Sequence, residues 1–413
     1  MLCFRATAVF FLSCSLTLLS SACGDANWLK PEDDSEPLPL REVIEPTHLV
    51  FAAIDVLSSP WQSSVYSLDL ADHSVKSLIT GESGDPLILL RSNQLFLFNR
   101  TFDSLNFRQL SWDDQQELQL GTQRSLQGAQ FGDPHDMLLL TDKTFLMANY
   151  TAGTLTIVNQ LGEIQRTIAD EWDLPEGTKL KPESFAEAET AGGERLIFVI
   201  HQALVFKGGQ MQVDGSQTAF VLRRLGELDV EVVDTNPDLP KIQGIKLAGS
   251  LPQQVPVKIQ GKNVLVSMCQ QYLFTTPSSQ SCQSAIETLD ADALTAEVIW
   301  DLNSEGLLMN GPVFGGYNQK VLANVQLRAE DGSTTKHVVE LNLTTKTWQK
   351  VVDFPAASGG FWGGFQNPHD GTLYIGDTDA SGQKGRMIIV KGDDRREIEL
   401  ERTPYSGAFV DLD

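Results

Sequence analysis

From about residue 48 onward, short apolar runs return at an interval that very few folds can accommodate. They begin at Leu49, Leu95, Phe145, Leu196, Val264, Val321 and Leu373, separated by 46, 50, 51, 68, 57 and 52 residues. Intervals of this size are those of propeller blades, each a small antiparallel sheet that can bury its faces only against its neighbours. A polar turn and a second strand-like run follow, as in Thr151-Ala152-Gly153 before Thr154 to Val158, or at His337 to Leu341 and Met387 to Val390. A more polar third run comes next, such as Glu163 to Ile168 or Arg396 to Leu400. This gradient suits a blade whose inner strands are buried between neighbours and whose outer strand meets water. No long stretch keeps a 3.6-residue period, so the chain reads as all-β.

The two ends of the repeat predict a closed ring. The first unit starts at its second strand, Leu49 to Ile54, with no inner strand before it, while Tyr405 to Asp411 is left over after the last. The leftover segment supplies the missing inner strand of blade one and removes two exposed sheet edges. The expectation is a seven-bladed β-propeller over 48–413, closed by the C-terminal strand. Six or eight blades are the alternatives, because the 68-residue interval around Lys207 to Gln260 has room for an insertion or an irregular blade. Two β-sandwiches fit less well, since no composition break divides the segment.

The first 47 residues read as address and tether. Arg5 gives a basic start, Ala6 to Leu19 an apolar stretch of signal-peptide length, and Leu19-Ser20-Ser21-Ala22-Cys23 a lipoprotein-like end. Leu19 lies one place further from the cysteine than in the usual box, so a plain cleavage after Ala22 is the alternative. On the lipoprotein reading residues 1–22 are the signal, Cys23 carries lipid, and the Pro- and acid-rich 23–47 is an extended tether. Gly24 after Cys23 points to the outer rather than the inner membrane by resemblance to lipoprotein sorting rules. Of the remaining cysteines, Cys269 and Cys282 are an even pair in an oxidising compartment. They are expected to form one disulfide in the fifth blade, adding at most about 3 kcal/mol. With 54 acidic against 31 basic residues and a net charge of −23, the chain repels nucleic acid.

Phe131-Gly132-Asp133-Pro134-His135-Asp136, a strand ending at Asn149-Tyr150, and then Gly153 to Val158 resemble blades of the YVTN- and NHL-type propellers. The similarity is especially to propeller lipoproteins of Gram-negative bacteria. Asn367-Pro368-His369-Asp370-Gly371 to Ile375 repeats the start in the last blade. This resemblance implies fold and address; such families include enzymes, scaffolds and binding proteins, so no reaction follows.

The repeated Pro-His-Asp offers the candidate chemistry. His135 with Asp136 and His369 with Asp370 are expected at corresponding places facing the channel. With His201 as third ligand they would form a divalent-metal site. Peptidylglycine-amidating lyase-like propellers carry similar Pro-His segments. The competing reading is structural: Pro fixes the strand start and Asp satisfies local amides. Asp301 to Gly306 starts like an EF-hand loop but has Pro312 where a bidentate Glu is required, and reads as a turn. Nucleophile-elbow, phosphate-loop and dinucleotide fingerprints are absent. Gly359-Gly360-Phe361-Trp362-Gly363-Gly364-Phe365 suits close packing of an inner strand near the axis. Two functions follow from these residues. One is a membrane-tethered, non-enzymatic propeller binding a protein, peptide or glycan, with no cofactor. The other is a metal-dependent hydrolase or lyase with a His-lined channel.

Overall fold

The computed structural model describes residues 45–412 except 56, 58–61, 92–93, 101–103, 114–116, 128–131, 142–143, 160, 169–171, 208–209, 214, 227–228, 269–282, 329–333, 354–359 and 380–383. Among the described residues there is no helix, and the strands form seven antiparallel sheets of four or five strands plus one two-stranded hairpin. The inner strands are Thr403–Val410, Asp85–Arg91, Pro134–Thr141, Pro182–Glu189, Pro252–Ile259, Leu307–Tyr317 and Gly360–Gln366, for blades 1 to 7 in turn. Each touches the next, and the seventh touches the first, so the sheets close into a ring. The expected seven-bladed propeller is therefore the fold, and the alternatives of six or eight blades fall away. The signal segment, Cys23 and the Cys269/Cys282 pair lie outside the described residues.

All seven apolar runs that set the repeat are second strands of their blades. They are continuous rather than alternating because both faces of each blade are covered. In His48–Asp55, Leu49, Phe51 and Ala53 pack toward blade 7 with Phe365, Tyr374 and Met387. Their neighbours Val50 and Ala52 pack toward blade 2 with Ile88, Leu95 and Leu97. Successive side chains leave opposite faces of a strand, so a strand buried on both faces needs apolar residues at every position. Outer strands differ in the way the gradient predicts: Ile164–Ile168 exposes four of its five residues.

Closure is by the C-terminus. Thr403–Val410 pairs antiparallel with His48–Asp55, from Val410 opposite His48 to Thr403 opposite Ile54. Side chains then staple neighbouring inner strands. The Ile88 amide donates to Ser406 Oγ (3.0 Å), the Gln254 amide to Ser184 Oγ (3.4 Å), and the Gly316 and Tyr317 amides to Gln366 Oε1 (3.0 and 3.2 Å). The glycine-rich segment is the inner strand of blade 7, as expected. A Cβ at Gly363 would overlap the Tyr405 carbonyl, 2.8 Å from its carbon, and one at Gly364 would overlap the Phe314 ring. Gly363→Ala is expected to destabilise by roughly 1–3 kcal/mol through overpacking. Urea denaturation reads this directly, and an unchanged midpoint would refute the close approach of blades 7 and 1.

The widest interval also has its explanation. Between Arg195–His201 and Thr218–Arg224, blade 4 carries an extra hairpin, Leu204–Lys207 with Gln210–Val213. Leu204 and Val213 pack on the core shared by blades 5 and 6. A long connection, 234–251, then leads to blade 5. The insertion lengthens the spacing without adding a blade.

Candidate functional site

Antiparallel four-stranded blades have a simple parity. Inner strands start at one end of the ring, second strands finish there, and every second-to-third and outer-to-inner connection lies at that end. The described parts of the long connections, 172–181, 202–207, 210–213 and 234–251, belong to it, beside blades 3 to 5. Both ends of the described residues belong to the other: the Thr47 amide donates to the Val410 carbonyl (3.1 Å) and the Leu412 amide to Thr47 Oγ1 (2.9 Å).

At the loop end, blades 2, 3 and 4 deliver charge to the channel mouth and blade 1 a tyrosine hydroxyl. Arg100, finishing the second strand of blade 2, lies opposite Asp85 in register and forms an ion pair with it. Its guanidinium also donates to the Pro134 carbonyl and to the Tyr405 hydroxyl, both 3.4 Å, and Nε is 4.0 Å from Asp133 Oδ1. The side chain is only 7% exposed, so blades 1, 2 and 3 meet on one buried cation. Burial opposes its charge, but Asp85, Tyr405 and Asp133 outweigh burial and raise its pKa. The Tyr405 hydroxyl is raised mainly by burial and stays neutral.

His135 clasps blades 3 and 4. Nδ1 is 2.5 Å from Glu183 Oε2, Nε2 is 3.2 Å from Asp133 Oδ2, and the ring stacks on Tyr150 at 4.1 Å and 7°. Burial disfavours the charged ring, yet Glu183 and Asp133 push its pKa up to about 9. It is therefore an imidazolium at neutral pH, donating from both nitrogens. Asp133 is held below the usual carboxylate range: burial works against this, and the His135 hydrogen bond and charge overcome it. Its backbone has a positive φ of 52°, a conformation a short polar residue tolerates. Asp136 is structural: it pairs with Arg91 and accepts from the Phe185 amide (2.9 Å), joining three inner strands.

The expected metal constellation does not assemble. His201 does finish its strand, but it is buried, with Nδ1 accepting the Lys181 amide (2.8 Å) and the ring packed toward Phe220. His369 does not correspond to His135. It lies in the turn between the inner and second strands of blade 7, at the terminal end of the ring, 3.5 Å from Glu45. Asp370 there pairs with Lys391 (2.6 Å) and caps the turn through the Thr372 amide. The two Pro-His-Asp strings differ because the first opens an inner strand and the second follows one. Among the described residues no group of three His, Cys, Asp or Glu side chains is placed to hold a metal ion. The described residues do not fit a metal, because His135 has both nitrogens on carboxylates and His201 is buried against the Lys181 amide.

Asp85, Arg91, Arg100, Glu183 and Tyr405 are site residues that sequence reasoning missed. A signal for three of them exists. Pro86, Pro134, Pro182 and Pro252 recur at intervals of 48, 48 and 70 residues and mark the starts of inner strands, as does Pro404. An inner strand is paired on one side only, so it tolerates proline at its start. Residues beside these prolines, namely Asp85, His135, Glu183 and Tyr405, reach the mouth.

Fold and site thus define a closed seven-bladed propeller with an ionic clasp at one end of its channel. No family model matches the chain, and no curated protein matches its sequence. Among solved structures it is similar to an ACO/RPE65 chimera, at 11% identity over 90% of this chain and 93% of that one, with a TM-score of 0.51. It is also similar to a 6-phosphogluconolactonase candidate from Bacteroides uniformis (13%, 89% and 98%, TM-score 0.49). The propeller domain of the trilobed protease from Pyrococcus furiosus is another (9%, 86% and 95%, TM-score 0.44). At such identities the likeness is one of fold.

Proposed function

We propose that this protein is a non-enzymatic, lipid-tethered propeller of the cell envelope that binds a protein, peptide or glycan on the loop end of its ring. One observation carries the reading: the described long connections and the charged mouth lie at one end, and both ends of the described residues lie at the other. A tether running from Cys23 to Thr47 then directs the loop end away from the membrane. Binding is favoured over hydrolysis because the mouth's charges are committed to fixed partners. An imidazolium between two carboxylates has no lone pair with which to act as a base near neutral pH.

Cys23→Ser is expected to move the protein from the membrane to the soluble fraction, since no described helix is long and apolar enough to cross a membrane. Retention on membranes after a high-salt wash would contradict the tether. The binding face is tested with photo-crosslinking residues at Thr151, on the loop end, and Asp394, on the terminal end, in intact envelopes. Adducts from Thr151 alone are expected. Adducts from Asp394 alone would reverse the assignment, and turnover of an ester or lactone panel that is abolished by chelator would favour the metal-dependent enzyme.

A further inference from the structure

At the loop end, beside the clasp, Gly153, Trp172 to Leu180 and Lys241 enclose a groove of about 550 Å3. This is within the range of ligand sites. The groove is braced. Trp172 packs on Phe220 with ring centroids 4.6 Å apart, the Asp173 amide donates to the Ile242 carbonyl (2.9 Å), and Trp172 and Ile242 form a parallel bridge. Glycine is required at position 153, where a Cβ would lie 2.7 Å from that of Lys179. Pro175 is the exposed apolar residue of the lining, with Leu174 and Leu180 buried behind it, and Lys179 and Lys241 stand exposed on the rim.

The lysines run against the character of a chain of net charge −23. Among the described residues neither Lys179 nor Lys241 forms an ion pair, and Lys181, next along the loop, feels the Lys179 charge. We propose that the groove takes an extended peptide segment in which carboxylate side chains alternate with apolar ones. The carboxylates meet Lys179 and Lys241, and an apolar residue lies on Pro175. Glu176, on the same rim, disfavours a wholly acidic segment. A peptide suits the walls better than a sugar, because the Trp172 ring is turned into the core against Phe220 and offers no free face for stacking. The remaining acidic surface repels such a ligand, so the local cations give orientation as well as attraction.

The inference rests on the loop end being the binding face. It is tested by calorimetry on the soluble Cys23→Ser protein with three probes: a blocked ten-residue peptide of glutamate and leucine, its lysine and leucine counterpart, and polygalacturonate. Only the acidic peptide is expected to bind, with affinity falling at least tenfold in Lys179→Glu/Lys241→Glu and staying within a few-fold in Lys179→Arg/Lys241→Arg. Equal binding of the basic peptide, or indifference to the charge reversal, overturns the proposal. Polygalacturonate binding lost on charge reversal, with the acidic peptide silent, overturns the peptide class but keeps the binding face. If no probe binds while Thr151 still crosslinks, the groove alone is wrong; if Thr151 is silent too, the binding face fails with it.

Discussion

Deleting residues 403–413 is expected to abolish cooperative unfolding of the propeller, or to lower its melting temperature by on the order of ten degrees with the appearance of higher-order species. The segment contains the whole inner strand of blade 1. Its loss strips the ladder from His48–Asp55 and removes Phe409, which packs edge-on against Tyr374 at 5.7 Å, together with Ala408 and Val410. Tyr405 leaves the Arg100 cluster, and Ser406 leaves Ile88. Full burial of a large apolar side chain is worth roughly 1.5–3 kcal/mol, and the partly buried Phe409 and Val410 each lose a share of it along with the whole strand ladder, against net stabilities of about 5–15 kcal/mol. Scanning calorimetry and sedimentation of the truncated protein check this. A clean monomer with an unchanged transition would show that the ring is not held by its C-terminus.

Raising the pH from 6.5 through 9 is expected to cost the protein about 2–3 kcal/mol at the His135 clasp. The sign follows from the direction of the shift. The folded pKa, about 9, lies above the ordinary histidine value, so the stabilisation is complete below 6.5 and is lost as pH climbs through 9. Above that range a neutral ring no longer donates to both Glu183 and Asp133, and two carboxylates face each other across it. His135→Gln is expected to destabilise at pH 6, by roughly 3–5 kcal/mol if the carboxylates are left uncompensated, and to remove this pH dependence. Denaturant titrations of both forms at pH 6 and 9.5 provide the comparison. Parallel losses in the two proteins would mean that His135 does not titrate in this window.

What could be read from the sequence was whatever a strand records locally. Burial on both faces of a second strand demands a continuous apolar run, so Leu49 to Ile54 and Leu373 to Ile375 announced their blades, and the unpaired first and last units announced the closure. The local meaning of Pro134 was legible as well, because a strand start is decided by neighbours in the chain, whereas the partners of Asp136, Arg91 and the Phe185 amide, lie on other blades. The equivalence of His135 and His369 was misread for the same reason: identical Pro-His-Asp strings say nothing of whether an inner strand follows or precedes them. Only the tertiary structure could decide that, by placing one at the loop end and the other at the terminal end. The clasp itself joins residues as far apart as Asp85, His135, Glu183 and Tyr405. Their partnership depends on the order in which blades meet around the axis, and no spacing along a single strand encodes it. Charge pairing acts through space, whereas periodicity acts along the chain, so the sequence by itself determined the blades and the structure decided the site.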